Sequence, residues 1–341
     1  MCSQLSTVLR SNFSVGEAST LERYFSSLIG NATNGITANR AAIAMGIPFG
    51  HVIKLFSRCY KLGLLSIDYA IRCPECSTII KRFSSRNDDQ GEDLYCYSCE
   101  NNVSITTDNI EIIYKLSGDV FFPNGQQGQI SSTDTVAQID SLKSFIESGG
   151  DYNSLFFNPN MQELQVLQGM YQSIFAEQKN TKATGDALEN LAVELFRTIH
   201  CVKATAIRTS ENQIDCYTNN GFASLLPALG QHIVIECKNE KRTPGNTYLH
   251  KISGVIDTIN GSVAKPVRLG MIISRTKPAK TVHNLAYIRY IKDGLRIITM
   301  CGDELEDILF NGRNLLELIE QKVDELQTQS ANDLRAAGLY N

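Results

Sequence analysis

His232-Ile233-Val234-Ile235-Glu236-Cys237-Lys238 opens as an unbroken apolar run and closes on two opposite charges flanking a small residue. A run of this kind predicts a central strand covered on both faces. Strand alternation then puts Glu236 and Lys238 on one face and Cys237 on the other. Upstream, Asp215 ends a second apolar stretch directly after Ile214. Two carboxylates and a lysine at the ends of neighbouring strands are what metal-dependent phosphodiester hydrolysis needs. Acidic oxygens hold a hard divalent ion, the ion binds the phosphate and acidifies a water, and the lysine orients that water or offsets charge at phosphorus.

The surroundings of this strand read as helix, strand, strand, strand, helix, strand. Leu188, Leu191, Ala192, Leu195, Phe196 and Ile199 form the buried stripe of a helix. Residues 203–207 and 213–217 form a hairpin, residues 231–238 the third strand, and Leu269-Gly270-Met271-Ile272-Ile273-Ser274 the last. With these pieces in order, the segment of about residues 185–309 resembles the PD-(D/E)XK nuclease superfamily, and within it the Mrr-like restriction endonucleases. Gln213-Ile214-Asp215 stands for the first acidic motif and Glu236-Cys237-Lys238 for the second. The chain departs from the motif name before the first aspartate, where isoleucine replaces proline.

The resemblance implies an α/β domain with a restriction-endonuclease-like mixed sheet flanked by helices. It implies DNA hydrolysis with Mg2+ or Mn2+, Asp215 and Glu236 as metal ligands, Lys238 as the catalytic lysine, a 5′-phosphate product and a role in restricting foreign DNA. Glu189, on the preceding helix, matches a position that often adds a metal ligand; with Asp186 three residues before it, a helix-capping role is the competing reading. An E-x-K tripeptide alone could equally be a cross-face ion pair, so the weight lies on the combination. Glu240 and Asp257 are read as solvated or structural, and Gln213 is near enough in sequence to touch the site.

Charge distribution fits a nucleic-acid substrate. Residues 197–296 hold fifteen lysines and arginines against six aspartates and glutamates, whereas residues 297–341 hold three against nine. Lys241, Arg242 and Lys251 follow the motif, and Arg275, Lys277 and Lys280 follow the 269–274 strand, so both loops could border a phosphate track. Any one of them could simply solubilise the surface. In the acidic tail Leu315, Leu316, Ile319, Val323 and Leu326 predict an amphipathic helix that packs on the domain or pairs with another chain.

Four of ten cysteines, Cys73, Cys76, Cys96 and Cys99, follow C-x2-C-x19-C-x2-C, the spacing of a four-thiolate structural Zn2+ site. Pro74-Glu75 and Tyr97-Ser98 form the knuckle turns. Two disulfides are the alternative, disfavoured if thiols stay reduced. Cys2, Cys59, Cys201, Cys216, Cys237 and Cys301 show no paired spacing and read as packing residues.

Residues 1–70 read as a winged-helix-like domain. A helix over 36–47 ends at Gly46, Pro48 suits the first turn of a second helix running to Tyr60, and Gly63 to Ile67 looks like a strand entering a wing. Lys54, Arg58 and Lys61 share a face of the second helix and could meet phosphates; protein contact is the alternative use of such a module. Residues 71–122 are the zinc ribbon and a following hairpin, 110–114 with 120–122. Residues 123–183 are a linker, marked by Pro123 to Gly128, and a helical bridge. In the bridge Val136, Ile139, Leu142, Phe145 and Ile146 keep helical spacing, as do Leu164, Leu167, Tyr171, Ile174 and Phe175. Residues 184–311 are the nuclease domain and 312–341 the C-terminal helix and tail.

The 341 residues, 43% hydrophobic and 20% charged, exclude a wholly disordered or fibrous chain. No stretch nears the roughly 18 apolar residues of a membrane helix, and no leader is evident, so a cytoplasmic protein is expected. Net charge −4 argues against coating nucleic acid by bulk charge. The expected partners are double-stranded DNA and a regulatory protein, with no membrane. Competing functions are a non-catalytic DNA-binding regulator or adaptor on a nuclease fold, or a junction resolvase or nickase of the same superfamily. A binder has no need of all of Asp215, Glu236 and Lys238, and a resolvase would be a symmetric homodimer. RNA stays open as a substrate.

Overall fold

The computed structural model describes residues 3–28, 33–84, 94–117, 141–176, 181–208, 213–223, 225–261 and 266–336. The first elements are helices α1 (Ser3–Asn12), α2 (Val15–Ser27), α3 (Ala38–Met45) and α4 (Phe49–Lys61), then strands β1 (Leu65–Arg72), β2 (Ile79–Ser84), β3 (Leu94–Cys96), β4 (Asn101–Val103) and β5 (Ile110–Leu116). Helices α5 (Leu142–Glu147), α6 (Tyr152–Phe156), α7 (Met161–Phe175) and α8 (Thr181–Arg197) precede β6 (Val202–Arg208), β7 (Gln213–Asn220) and β8 (His232–Lys238). The chain ends with α9 (Asn246–Asn260), β9 (Leu269–Ser274), α10 (Lys280–Asp293), β10 (Arg296–Cys301), α11 (Gly302–Phe310) and α12 (Leu315–Ala336). Two compact units result, residues 1–155 with 160–162, and residues 156–159 with 163–341. Among the described residues no helix is long and apolar enough to cross a membrane.

In the first unit α2 starts with a capping box in which the Ser14 hydroxyl takes the Glu17 N–H and the Glu17 carboxylate takes the Ser14 N–H. Helix α3 ends at Gly46, whose φ of +67° suits glycine, and Pro48 caps α4 one residue before its first turn. Val52, Ile53, Leu55, Phe56, Cys59 and Tyr60 bury one face of α4, and Phe56 meets Tyr114 edge to face at 4.9 Å. Tyr114 lies on β5, which pairs with β1 from Leu65, opposite Leu116, to Ile71, opposite Ile110. The sheet order is β2-β1-β5, all antiparallel, and Ile36 adds a bridge to Tyr114 ahead of α3.

These pairings depart from the expected layout. Residues 110–116 pair with β1, 39 to 51 positions upstream, a partner that local spacing does not state, and residues 120–122 of the expected hairpin lie outside the described residues. The boundary at 70 falls inside β1. Of the bridge segment, α5 begins only at Leu142 behind the Ser141 cap, Val136 and Ile139 lie outside the described residues, and a short helix, α6, occupies the turn-rich stretch. Most of α7 belongs to the second unit, where Gln168 donates to the Leu309 carbonyl at 2.7 Å and the Tyr171 hydroxyl to the Gly302 carbonyl at 3.2 Å.

The second unit is a mixed α/β layer structure around a five-stranded sheet of order β10-β9-β8-β7-β6. β6, β7 and β8 pair antiparallel; β8, β9 and β10 pair parallel, with α9 and α10 as the crossovers. Parallel neighbours require such crossovers, and helices on the sheet make the middle strands apolar. Val234, Ile272 and Ile297 pack with Leu249, Ile252 and Ile256 of α9 and Val282 and Ala286 of α10. Ile233, Ile235 and Cys237, alternating with Val234, are buried as well, as are all six residues of β9. The tail helix α12 packs on this unit: Leu315, Leu316, Ile319 and Val323 are buried, as is Leu318, which the spacing had not marked.

Candidate functional site

Strands β7 and β8 place the two carboxylates side by side, one position beyond the Cys216–Ile235 pair in each strand. Asp215 and Glu236 are 2% and 3% exposed. Asp215 Oδ2 accepts the Cys237 N–H at 2.8 Å, and Oδ1 accepts from the Gln213 amide at 3.2 Å. Glu236 Oε1 lies 2.6 Å from Lys238 Nζ, as the shared strand face predicts. The same oxygen lies 2.7 Å from Lys251 Nζ, which reaches it from α9. Lys238 sits 4.9 Å from the centroid of the Tyr248 ring, also on α9, whose hydroxyl donates to Glu240. Burial works to lower the Lys238 pKa, but the hydrogen bond and charge of Glu236, with the charge of Asp215, hold it above the ordinary lysine value.

Glu189 lies well inside α8, which starts at Thr181, so it caps nothing. Its Oε2 accepts from Arg208 at 3.1 Å and its Oε1 from Gln213 at 3.5 Å. Burial and the charge of Asp215 raise its pKa against the pull of Arg208. Gln213 therefore spans Glu189 and Asp215. Arg208, which also pairs with Asp186 at 3.4 Å, was not singled out from the sequence. The signal was present in the hairpin register, which sets Arg208 opposite Gln213. Cys216 and Cys237 are buried thiols, and burial pushes the first up to about 12 and the second well above its ordinary value, so neither is a nucleophile at neutral pH.

Among the described residues, only Cys73, Cys76, Cys96 and Cys99 bring three or more ligand atoms within metal-binding distance, their sulfurs all within 4.8 Å of one another. Cys73 and Cys99 sulfurs are 3.2 Å apart and Cys76 and Cys96 3.6 Å, against about 3.8 Å for a tetrahedral four-sulfur zinc site. The donor set is compatible with a structural zinc. Each knuckle tips an antiparallel pair, β1–β2 and β3–β4, and each is followed by a residue at positive φ, Ser77 at +57° and Glu100 at +56°. Hydrogen bonds from Thr78 lower the Cys76 thiol pKa to about 6, whereas the neighbouring sulfurs of Cys73 and Cys96 push the Cys99 thiol up. Cys59, Cys201, Cys216, Cys237 and Cys301 are buried packing residues as expected; Cys2 lies outside the described residues.

Asp215, Glu236 and Glu189 do not form such a three-ligand group. Asp215 and Glu236 remain as a buried pair of hard oxygen donors on adjacent strands. Mg2+ ordinarily takes one or two carboxylates and keeps several waters, so this pair fits it. Glu189 is instead held by Arg208 and Gln213.

Lys241, Arg242, Lys277 and Lys280 are exposed, and their two loops are tied together. The Thr276 hydroxyl donates to the Arg242 carbonyl at 2.9 Å and the Ala279 N–H to the Pro244 carbonyl at 3.1 Å. Both loops leave the carboxyl ends of parallel strands, the edge on which Glu236 and Lys238 lie. Arg275 packs over the Phe175 ring at 4.6 Å. In the first unit Lys54 and Lys61 are exposed on α4. Arg58 is committed elsewhere: its guanidinium lies 4.2 Å from the Phe13 ring centroid, pairs with Glu17 at 3.4 Å and donates to the Asn12 carbonyl. Asp257 pairs with Arg289 at 3.0 Å, a structural role as expected. Comparison with protein-family models, curated proteins and solved structures finds no match.

Proposed function

We propose that the second unit is a nuclease domain of the PD-(D/E)XK type, Mrr-like, that hydrolyses DNA phosphodiester bonds with Mg2+ or Mn2+ in defence against foreign DNA. The observation that carries this reading is the meeting of Asp215, Glu236 and Lys238 at the carboxyl edge of the parallel strands, beneath a rim of exposed cations. When bound, a divalent ion supplies a Lewis-acid contact to the phosphate and an acidified water. Asp215 and Glu236 offer the oxygens that hold it. The Cys237 N–H fixes the Asp215 carboxylate, so little reorganisation is needed. Lys238, its pKa raised, stays an ammonium at neutral pH, and its part is to donate to a phosphate oxygen and offset charge, not to remove a proton. Lys241, Arg242, Lys277 and Lys280 bind flanking phosphates and fix register without reading sequence.

The first unit is read as a winged helix with a zinc ribbon set into its wing. Support comes from the order α2, the Ile36 bridge, α3, α4, β1 and β5, with both cysteine knuckles between β1 and β5. Its role is to select the DNA target or a protein partner, through Lys54 and Lys61 on α4. Deleting this unit and finding unchanged target choice and activity would count against that role.

One observation favours a second reading, a DNA-binding regulator or adaptor without catalysis: both carboxylates that flank Asp215 are already satisfied by cations, Glu236 by two lysines and Glu189 by Arg208. Cleavage of plasmid and linear duplex DNA separates the two. Cutting in Mg2+ or Mn2+ and none in EDTA, lost in Asp215→Ala and Lys238→Ala, is expected of the nuclease. Metal-independent DNA binding with no cutting in any condition is expected of the regulator.

A further inference from the structure

Lys251 and Lys238 converge on one oxygen. Glu236 Oε1 holds both ammoniums, at 2.7 and 2.6 Å, and the carboxylate is almost wholly buried. One buried negative charge with two close cations is more than neutralised, and each ammonium raises the energy of bringing in a further positive ion. Metal-dependent chemistry at Asp215 and Glu236 is therefore in competition with a cation the chain itself supplies.

The two lysines differ in how they are held. Lys238 continues the strand two residues from Glu236, is 19% exposed, and is backed by the Tyr248 ring. Lys251 belongs to a helix across from the strand, and its side chain is 42% exposed, so it enters the site from the solvent side. A long flexible side chain with this exposure can withdraw and recover its hydration at little cost, whereas Lys238 cannot leave without uncovering buried surface.

We propose that Lys251 is a resident counter-cation: it occupies Glu236 in the metal-free protein, a divalent cation displaces it, and it thereby sets the metal concentration at which the site loads. This rests on the metal-dependent reading of Asp215 and Glu236. It assigns to Lys251 a positioning role inside the site, in place of the outer phosphate contact that its sequence position alone suggests.

The test is Mn2+ binding by the full-length, zinc-loaded protein, read from the electron paramagnetic resonance of the free ion, with no DNA and no turnover. Lys251→Gln is expected to bind Mn2+ about tenfold more tightly than wild type, a shift well outside titration error. Lys251→Arg, which keeps the cation, is expected to stay near wild type, and Glu236→Gln to lose the site. Tight binding in Lys251→Gln with none detectable in wild type also supports the inference. Equal or weaker binding by Lys251→Gln, with the site still lost in Glu236→Gln, overturns it and leaves the metal reading standing. Absence of Mn2+ binding in wild type and Lys251→Gln alike overturns both. Thermal melting of each variant is recorded alongside, so that a change of affinity is read only from folded protein.

Discussion

Asp215 Oδ2 accepts the main-chain N–H of Cys237 at 2.8 Å, which fastens the carboxylate of one strand to the strand that carries Glu236 and Lys238 on either side of that N–H. The bond makes the site a property of the sheet register. It also separates what Asp215 does for stability from what it does for chemistry.

Asp215→Ala leaves the Cys237 N–H buried without a partner and should cost about 1–3 kcal/mol in urea unfolding. Asp215→Asn keeps an acceptor oxygen and should cost less. Metal-dependent cutting should fall by at least about a hundredfold in both, since neither retains the anionic ligand. Equal stability losses in the two variants would speak against the hydrogen bond as the cause.

Glu189 carries a pH signature. Burial and Asp215 raise its pKa in the folded chain, so the native state holds this proton more tightly than the unfolded state does. The stability linked to it is fully present below the ordinary carboxylate range and is lost as pH rises through the folded value. Glu189→Gln cannot ionise and escapes the loss. Its stability relative to wild type should therefore increase between about pH 4 and about pH 7, followed by urea midpoints. The opposite trend would mean that the Arg208 pair outweighs burial.

Zinc removal should act on the first unit. One zinc per chain is expected, with the thiolate charge-transfer and d–d absorption of a tetrahedral four-sulfur site on Co2+ substitution, and both lost in Cys96→Ser. Chelation should lower the melting temperature of that unit. A metal-free protein with unaltered melting would contradict the structural assignment.

Arg58 and Lys54, four residues apart on one helix, should behave differently. Arg58→Ala loses the Phe13 and Glu17 contacts and should cost about 1 kcal/mol of stability. Lys54→Ala should leave stability within about 0.5 kcal/mol and instead weaken duplex DNA binding, with a shallower salt dependence. Parallel effects from the two would argue that α4 presents one uniform basic face.

Much of this architecture was legible because local pattern and burial agreed. The apolar run at 232–235 gave a central strand, the cysteine spacing gave a ligand set, and the leucine stripe from Leu315 gave α12. What was not legible depended on distant partners. Arg58 has the helical spacing of Lys54 and Lys61, and only the approach of Phe13 and Glu17 removes it from their set. The pairing of β5 with β1, with both cysteine knuckles between them in the chain, is not stated by local spacing. Lys251 lies fifteen residues after Glu236, and nothing in the intervening loop sequence states that α9 will return its second turn to the carboxylate. Arg208 entered the site through hairpin register, which a bulge between Thr205 and Ile207 makes hard to read from spacing.

The most direct measurement is plasmid cleavage by full-length, zinc-loaded protein in Mg2+, comparing wild type with the isosteric Glu236→Gln. The account predicts nicking or linearisation by wild type that EDTA abolishes, and a loss of at least about a hundredfold in Glu236→Gln, read at a temperature where melting shows the variant folded. Undiminished cutting by Glu236→Gln, cutting in EDTA, or no cutting by folded wild type on plasmid, linear and modified duplexes would contradict it.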